Sequence, residues 1–283
     1  MPDLIRRVTY SKYLLRRATS LQRDGNELAT AEAVLVAHDG AEMLMRVVVD
    51  FLGAKVPDRF MQFWQNVTEK TSIQPPHKTA MDRLNDLRVG FKHKGNLPNR
   101  SVADNLLPVV TAFCHEIASL YLKLDYETVS LADLIPNQRA RDEVKKAEGA
   151  FMNGDAEKAF LGLGVAYDRL RDEVRNTRGP AMLQGHWDRW DSSFHWKGEA
   201  RQYAEALRID KMGKDLQRLI DLTDSLVMGI QPQQLRKFES LTPYRSYTAS
   251  GEMMVNWSGH IPTLDTEAFE FCQSFVIDFA LRL

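Results

Sequence analysis

The stretch LRVGFKHKGNLP, residues 87–98, gathers Arg88, Lys92, His93 and Lys94 into seven residues and then stops at Gly95 and Pro98. Glycine just past the last helical residue, with proline shortly after, is how helices commonly end. The stretch therefore predicts a helix from about His77 to Lys94 whose last turn is basic. Four basic groups this close repel one another unless solvent or an anion lies among them. What they face decides what the chain does.

Working outward, apolar residues recur at helical spacing almost throughout. Residues 4–23 place Leu4, Ile5, Val8, Leu14, Leu15, Ala18 and Leu21 on one face. Residues 27–53 repeat the pattern with Ala33, Ala37, Ala41, Leu44 and Val48, and the short Asp24-Gly25-Asn26 link predicts an antiparallel pair. A third element is expected from Pro57 to Lys70, and Pro75-Pro76 breaks the chain before the basic helix. Ser101 is the expected N-cap of a long apolar helix through Val110, Phe113, Ile117 and Leu124. Residues 1–128 thus read as one helical domain.

Residues 129–283 read as a second helical domain. Asn153-Gly154-Asp155 predicts a turn between two helices, and a further long helix is expected over 199–228. Residues 243–258 alternate loosely around Ser250-Gly251, which predicts a small β-hairpin before a last helix from Asp265 to Arg282. The expected fold class is all-α with that one hairpin. A faint echo links VGFKHKGNLP at 89–98 with VNWSGHIP at 255–262, each followed by a helix carrying Phe-Cys, so the second domain could descend from the first by duplication.

The 283-residue chain is 44% apolar and 27% charged, with a formal net charge of -1. Such a balance gives no overall field for nucleic acid, so a polyanion would need a local patch. Two exist: Arg6, Arg7, Lys12, Arg16, Arg17 and Arg23 in the first helix, and the 81–100 cluster. Cys114 and Cys272 sit far apart in apolar helical patterns and read as buried reduced thiols. No apolar run reaches the roughly 18 residues of a membrane span, and the N-terminal segment lacks the apolar core of a secretory signal. The expectation is a cytoplasmic protein with no membrane partner.

Arg88, Lys92, His93 and Lys94 suit cleavage of RNA without metal. An arginine holds a phosphate through paired hydrogen bonds, a histidine near neutral pKa moves a proton, and the lysines meet flanking phosphates. Asn85 lies one turn before Arg88 as a further polar contact to substrate. In a continuous helix Arg88 and His93 lie about 140° apart, so the expectation is that the final turn loosens and swings the imidazole toward Arg88.

Arg88-x4-His93, ending one helix and followed by another long helix in an all-helical domain, resembles the HEPN superfamily, whose Arg-x(4–6)-His signature marks many ribonucleases of toxin and antiviral systems. The likeness covers about residues 10–125. It implies a homodimer with a composite cleft, RNA as substrate, a metal-independent endoribonuclease activity in a prokaryotic defence or toxin setting, and a protein regulator or antitoxin as a further partner. It also implies that Arg88 and His93 are catalytic. The family often carries Asn or Asp after its arginine; here Val89 stands there. That departure favours a second reading, a catalytically inactive helical protein-interaction or regulatory module.

Asp39 and Glu42, on the second helix beside His38, are candidates to orient His93, while Glu42 and Arg46 are spaced as a helix-stabilising pair. His38 and Glu42 offer a metal two ligands at most from that helix, so no metal and no cofactor are expected. His186, Trp187, Trp190, Phe194, His195 and Trp196 could stack bases, but the spacing of Trp187, Trp190 and Phe194 is that of a packed helix face.

Overall fold

The computed structural model describes residues 2–178, 211–213, 215, 219, 222–223, 226, 228–247, 253–257 and 261–283. The aromatic segment at 184–198 and most of the helix expected over 199–228 lie outside them. The described chain is all-α with one small hairpin, as its periodicity predicts.

It divides into two compact units, Met1–Leu134 and Ile135–Leu283. The first contains α1 (Pro2–Asp24), α2 (Glu27–Leu52), α3 (Gln62–Thr71), α4 (Lys78–Lys94) and α5 (Arg100–Ile117). The division falls a few residues past the expected 128/129 boundary. Val129, Leu131 and Leu134 are buried, and a 3-10 turn over Leu131–Leu134 packs on α1, so this segment stays with the first unit.

Small side chains on α2 set the core spacing. Ala33, Ala37 and Ala41 are fully buried, and a Cβ added at Gly40 would sit 3.3 Å from both Leu14 Cβ and the Ser11 carbonyl. The absence of that carbon lets α1 approach closely. Ser11 Oγ donates to the Gly40 carbonyl at 2.8 Å and lies 3.0 Å from the Tyr126 hydroxyl. Trp64 stacks on Phe113 with ring centroids 5.5 Å apart, and its indole N–H donates to the Pro75 carbonyl at 3.0 Å. Such burial is the main source of stability for a helix bundle.

Two expected boundaries move for local reasons. Residues 58–61 bend and turn, and α3 begins at Gln62, where the Phe63 amide donates to the carbonyl of buried Phe60 at 3.2 Å. The N-cap before α5 is Asn99, not Ser101: its backbone is extended and its side-chain oxygen accepts from the Ser101 amide at 2.9 Å. Beyond α5 the chain widens into a π-helical turn over Ala118–Leu122, closed by Lys123 at φ 55°.

One run, Arg100–Leu122, is after all long and apolar enough to cross a membrane, with mean hydropathy 1.2 and half of the window buried. Its apolar character is shared with the core, since Leu106, Val110, Phe113, Cys114 and Ile117 are buried there.

The second unit contains α6 (Gln138–Met152), α7 (Ala156–Arg178), α8 (Pro232–Leu241), β1 (Tyr244–Tyr247), β2 (Met253–Asn256) and α9 (Thr266–Ala280). β1 and β2 pair antiparallel, Tyr244 opposite Asn256 and Tyr247 opposite Met253. Gly154, at φ 81°, makes the α6–α7 turn. Phe160, Tyr167, Phe238, Phe269, Phe275 and Phe279 form an aromatic core. Arg245 on β1 reaches Asp168 on α7 through Nε at 2.7 Å and Nη2 at 3.2 Å, over the space a Cβ at Gly164 would occupy. Phe113-Cys114 and Phe271-Cys272 both lie within helices, but residues 89–94 are helical where 255–256 are strand.

Candidate functional site

Burial thins along α4 toward its C-terminus. Met81 and Leu84 are fully buried, and after Leu84 no residue of the helix is. The last turns therefore project from the core with Asn85, Leu87, Arg88, Val89 and Phe91 half-buried, and Lys92, His93 and Lys94 exposed. The helix runs intact through Lys94 and ends in a glycine cap. Gly95 adopts φ 70°, its amide donates to the Phe91 carbonyl at 3.0 Å, and the Asn96 amide donates to the Gly90 carbonyl at 3.1 Å.

Because the last turn stays wound, Arg88 and His93 keep their helical separation of about 140°. No hydrogen bond joins them. Asn85, Arg88 and Lys92 follow the i, i+3, i+7 spacing of one helix face, while His93 follows Asp86 and Gly90 on another. Among the described residues Asn85, Arg88, Lys92, His93 and Lys94 take part in no ion pair or side-chain hydrogen bond, although Asp82 and Asp86 are on the same helix and exposed. The carbonyl end of the helix dipole favours cations here.

The other basic patch behaves differently. Arg7 pairs with Asp50 at 2.6 Å and Arg17 with Glu32 at 3.0 Å. Lys12 donates to the carbonyls of Glu127 at 2.7 Å and Val129 at 3.0 Å. Those cations hold the fold; the α4 cations are uncommitted within the described residues.

Neither Asp39 nor Glu42 bonds to His93. Both instead converge on His38, which is 1% exposed. Its Nδ1 lies 3.6 Å from Asp39 Oδ1 and 3.8 Å from Glu42 Oε2, and its ring rests 4.5 Å from that of Phe60. Arg46 donates to the other Glu42 oxygen from Nε at 3.1 Å and Nη2 at 2.7 Å. The two ligands counted from the sequence become three, because Asp39 turns toward the ring of its neighbour.

A group the sequence reading passed over lies at the end of α5. A surface hollow of about 810 Å³ is lined there by His115, Glu116, Ser119, Lys123, Asp125 and Tyr126. His77 Nε2 lies 2.9 Å from Glu116 Oε1, and His115 Nε2 lies 3.3 Å from Glu127 Oε1. The adjacent His115-Glu116 pair before an apolar helix end was the available signal. Neither Arg88 nor His93 lines the hollow.

Both thiols are buried and unpaired with each other. Burial pushes Cys114 far above its ordinary range against weaker opposing hydrogen bonds from Tyr126 and Ser11, and burial pushes Cys272 up to about 12. No family model, no curated protein and no solved structure matches the chain.

Proposed function

We propose that the chain is a metal-independent endoribonuclease of the HEPN type acting as a homodimer, with Arg88 and His93 as catalytic residues. One observation carries the reading: the end of α4 presents Arg88, Lys92, His93 and Lys94 without an ion-pair partner among the described residues, on a helix end that leaves the core. An RNA backbone supplies the anion that such a cluster lacks.

In the proposed reaction the ribose 2′-hydroxyl attacks the adjacent phosphorus and the 5′ oxygen leaves, giving a 2′,3′-cyclic phosphate and a 5′-hydroxyl. His93 transfers a proton, taking it from the 2′-hydroxyl or delivering it to the leaving oxygen. Arg88 holds the non-bridging oxygens as charge builds on them. Lys92 and Lys94 bind flanking phosphates, with Asn85 beside Arg88 as a polar contact. The angular separation of Arg88 and His93 favours a composite site, in which Arg88 of one protomer and His93 of its partner serve the same phosphate. Half-buried Val89 and Phe91, on different sides of α4 beside the motif, offer a second copy apolar surface to bury, while Leu87 packs on the core of its own unit.

Val89 after Arg88 favours the second reading, an inactive binding or regulatory module that keeps the fold. Incubating mixed RNA with wild type, Arg88→Ala and His93→Ala in EDTA separates the two. The nuclease reading expects cleavage by wild type and losses of about 100-fold or more in both variants. Cleavage equal in all three overturns the site, and intact RNA in every lane favours the binding module.

A further inference from the structure

The geometry points to a divalent-metal site of the zinc class on α2, formed by His38 Nδ1, Asp39 Oδ1 and Glu42 Oε2. The site stands apart from the proposed nuclease chemistry and does not depend on it. Three observations bring it out. His38 is 1% exposed, yet neither ring nitrogen has a hydrogen-bond partner. A buried polar group is normally hydrogen-bonded, so a buried imidazole with both nitrogens unsatisfied calls for an explanation.

Secondly, ligand atoms from His38, Asp39 and Glu42 all lie within 4.8 Å of one another. The Nδ1–oxygen distances of 3.6 Å and 3.8 Å are too long for hydrogen bonds. They are close to the spacing a bridging ion needs: around a tetrahedral ion with bonds of about 2.0–2.1 Å, neighbouring ligand atoms sit roughly 3.3–3.5 Å apart. An ion would draw the carboxylates of Asp39 and Glu42, 61% and 24% exposed in their side chains, inward to that spacing.

Thirdly, the surroundings divide the ligand roles. Arg46 occupies Glu42 Oε1 and leaves Oε2 toward His38, so the carboxylate is oriented by a neighbour as metal ligands commonly are. Phe60 covers the imidazole, while Asp39, 61% exposed in its side chain, opens the site to solvent. One imidazole and two carboxylates suit zinc and its borderline neighbours better than the all-oxygen sets of calcium and magnesium. With three protein ligands the fourth position belongs to water.

The test is titration of purified, chelator-treated protein with zinc chloride by calorimetry, and with cobalt(II) by visible absorption. Wild type is expected to bind one ion per chain saturably and to give the visible bands of tetrahedral cobalt. Asp39→Asn and Glu42→Gln, both at solvent-accessible carboxylates whose change leaves the core intact, are each expected to weaken binding about tenfold or more. Their far-UV circular dichroism, equal to wild type, excludes misfolding as the cause. No saturable binding by wild type, or affinity unchanged in either variant, overturns the site. RNA takes no part in the titration, so its failure leaves the nuclease reading standing, and the converse holds.

Discussion

Replacing Gly95 with alanine isolates the device that ends α4 beneath the basic cluster. At φ 70° an L-residue occupies the left-handed region, which costs roughly 1–2 kcal/mol. A Cβ there meets nothing within 4 Å, so steric clash adds nothing. Alanine also restricts the unfolded chain, which returns about 0.4–1 kcal/mol. The net loss is about 1 kcal/mol, or roughly a fivefold shift in the local opening equilibrium. It should appear where the cap acts, at the Gly95→Phe91 and Asn96→Gly90 hydrogen bonds. Amide hydrogen exchange read by mass spectrometry checks it. Peptides covering residues 90–98 should lose protection about fivefold, while peptides from α2 keep theirs. Gly95→Asn should fall between, since asparagine tolerates this conformation better. Equal protection in Gly95→Ala and wild type would refute the claim that the positive φ fixes this helix end.

The packing sets further outcomes at Gly40, Asp168 and Cys272. Gly40→Ala should destabilise the first unit by about 1 kcal/mol in thermal unfolding: the new methyl group meets Leu14 Cβ and the Ser11 carbonyl at 3.3 Å, an overpacking cost of about 1–3 kcal/mol, against about 1 kcal/mol returned by the helix propensity of alanine. Asp168→Asn leaves the Arg245 guanidinium, 10% exposed, without its carboxylate and should cost about 3–5 kcal/mol, read as a lower melting temperature. Cys272 should resist iodoacetamide at pH 8 in the native protein and react on unfolding. Its raised folded pKa means the unfolded state releases the proton first, so its contribution is whole below the ordinary value of 9.0 and is lost as pH rises toward about 12. A urea titration series across that range checks the sign.

Periodicity made the α1–α2 pair legible, because Ala33, Ala37 and Ala41 mark one face and Asp24-Gly25-Asn26 leaves room only for a tight reversal. Helix starts were harder to read. Asn99 and Ser101 are both good N-cap residues, and the choice was made by an extended backbone at Asn99 that no composition rule encodes. Phe60 likewise fits a helical pattern, yet its burial is reached from a turn.

At the candidate site the sequence located the end of α4 through Gly95, but it favoured a loosened last turn. The cap hydrogen bonds keep that turn wound, so Arg88 and His93 stay on separate faces within one chain. Helix spacing offers Asp39 and Glu42 as candidates to orient His93, yet in the structure they meet His38 instead. Spacing along a helix says which residues share a face. It does not say which ring a neighbouring carboxylate turns to, because that depends on Phe60 covering the imidazole and on Arg46 drawing Glu42.

The central claim is that the basic end of α4 cleaves RNA by 2′-hydroxyl attack. The most direct measurement is the end-group chemistry of products, read by mass spectrometry after wild-type protein and His93→Ala are each incubated with a defined RNA in EDTA. The account predicts 2′,3′-cyclic phosphate and 5′-hydroxyl ends from wild type, and a yield about 100-fold or more lower from His93→Ala. Products ending in 3′-hydroxyl and 5′-phosphate, or ends of either kind formed equally by the variant, would contradict it.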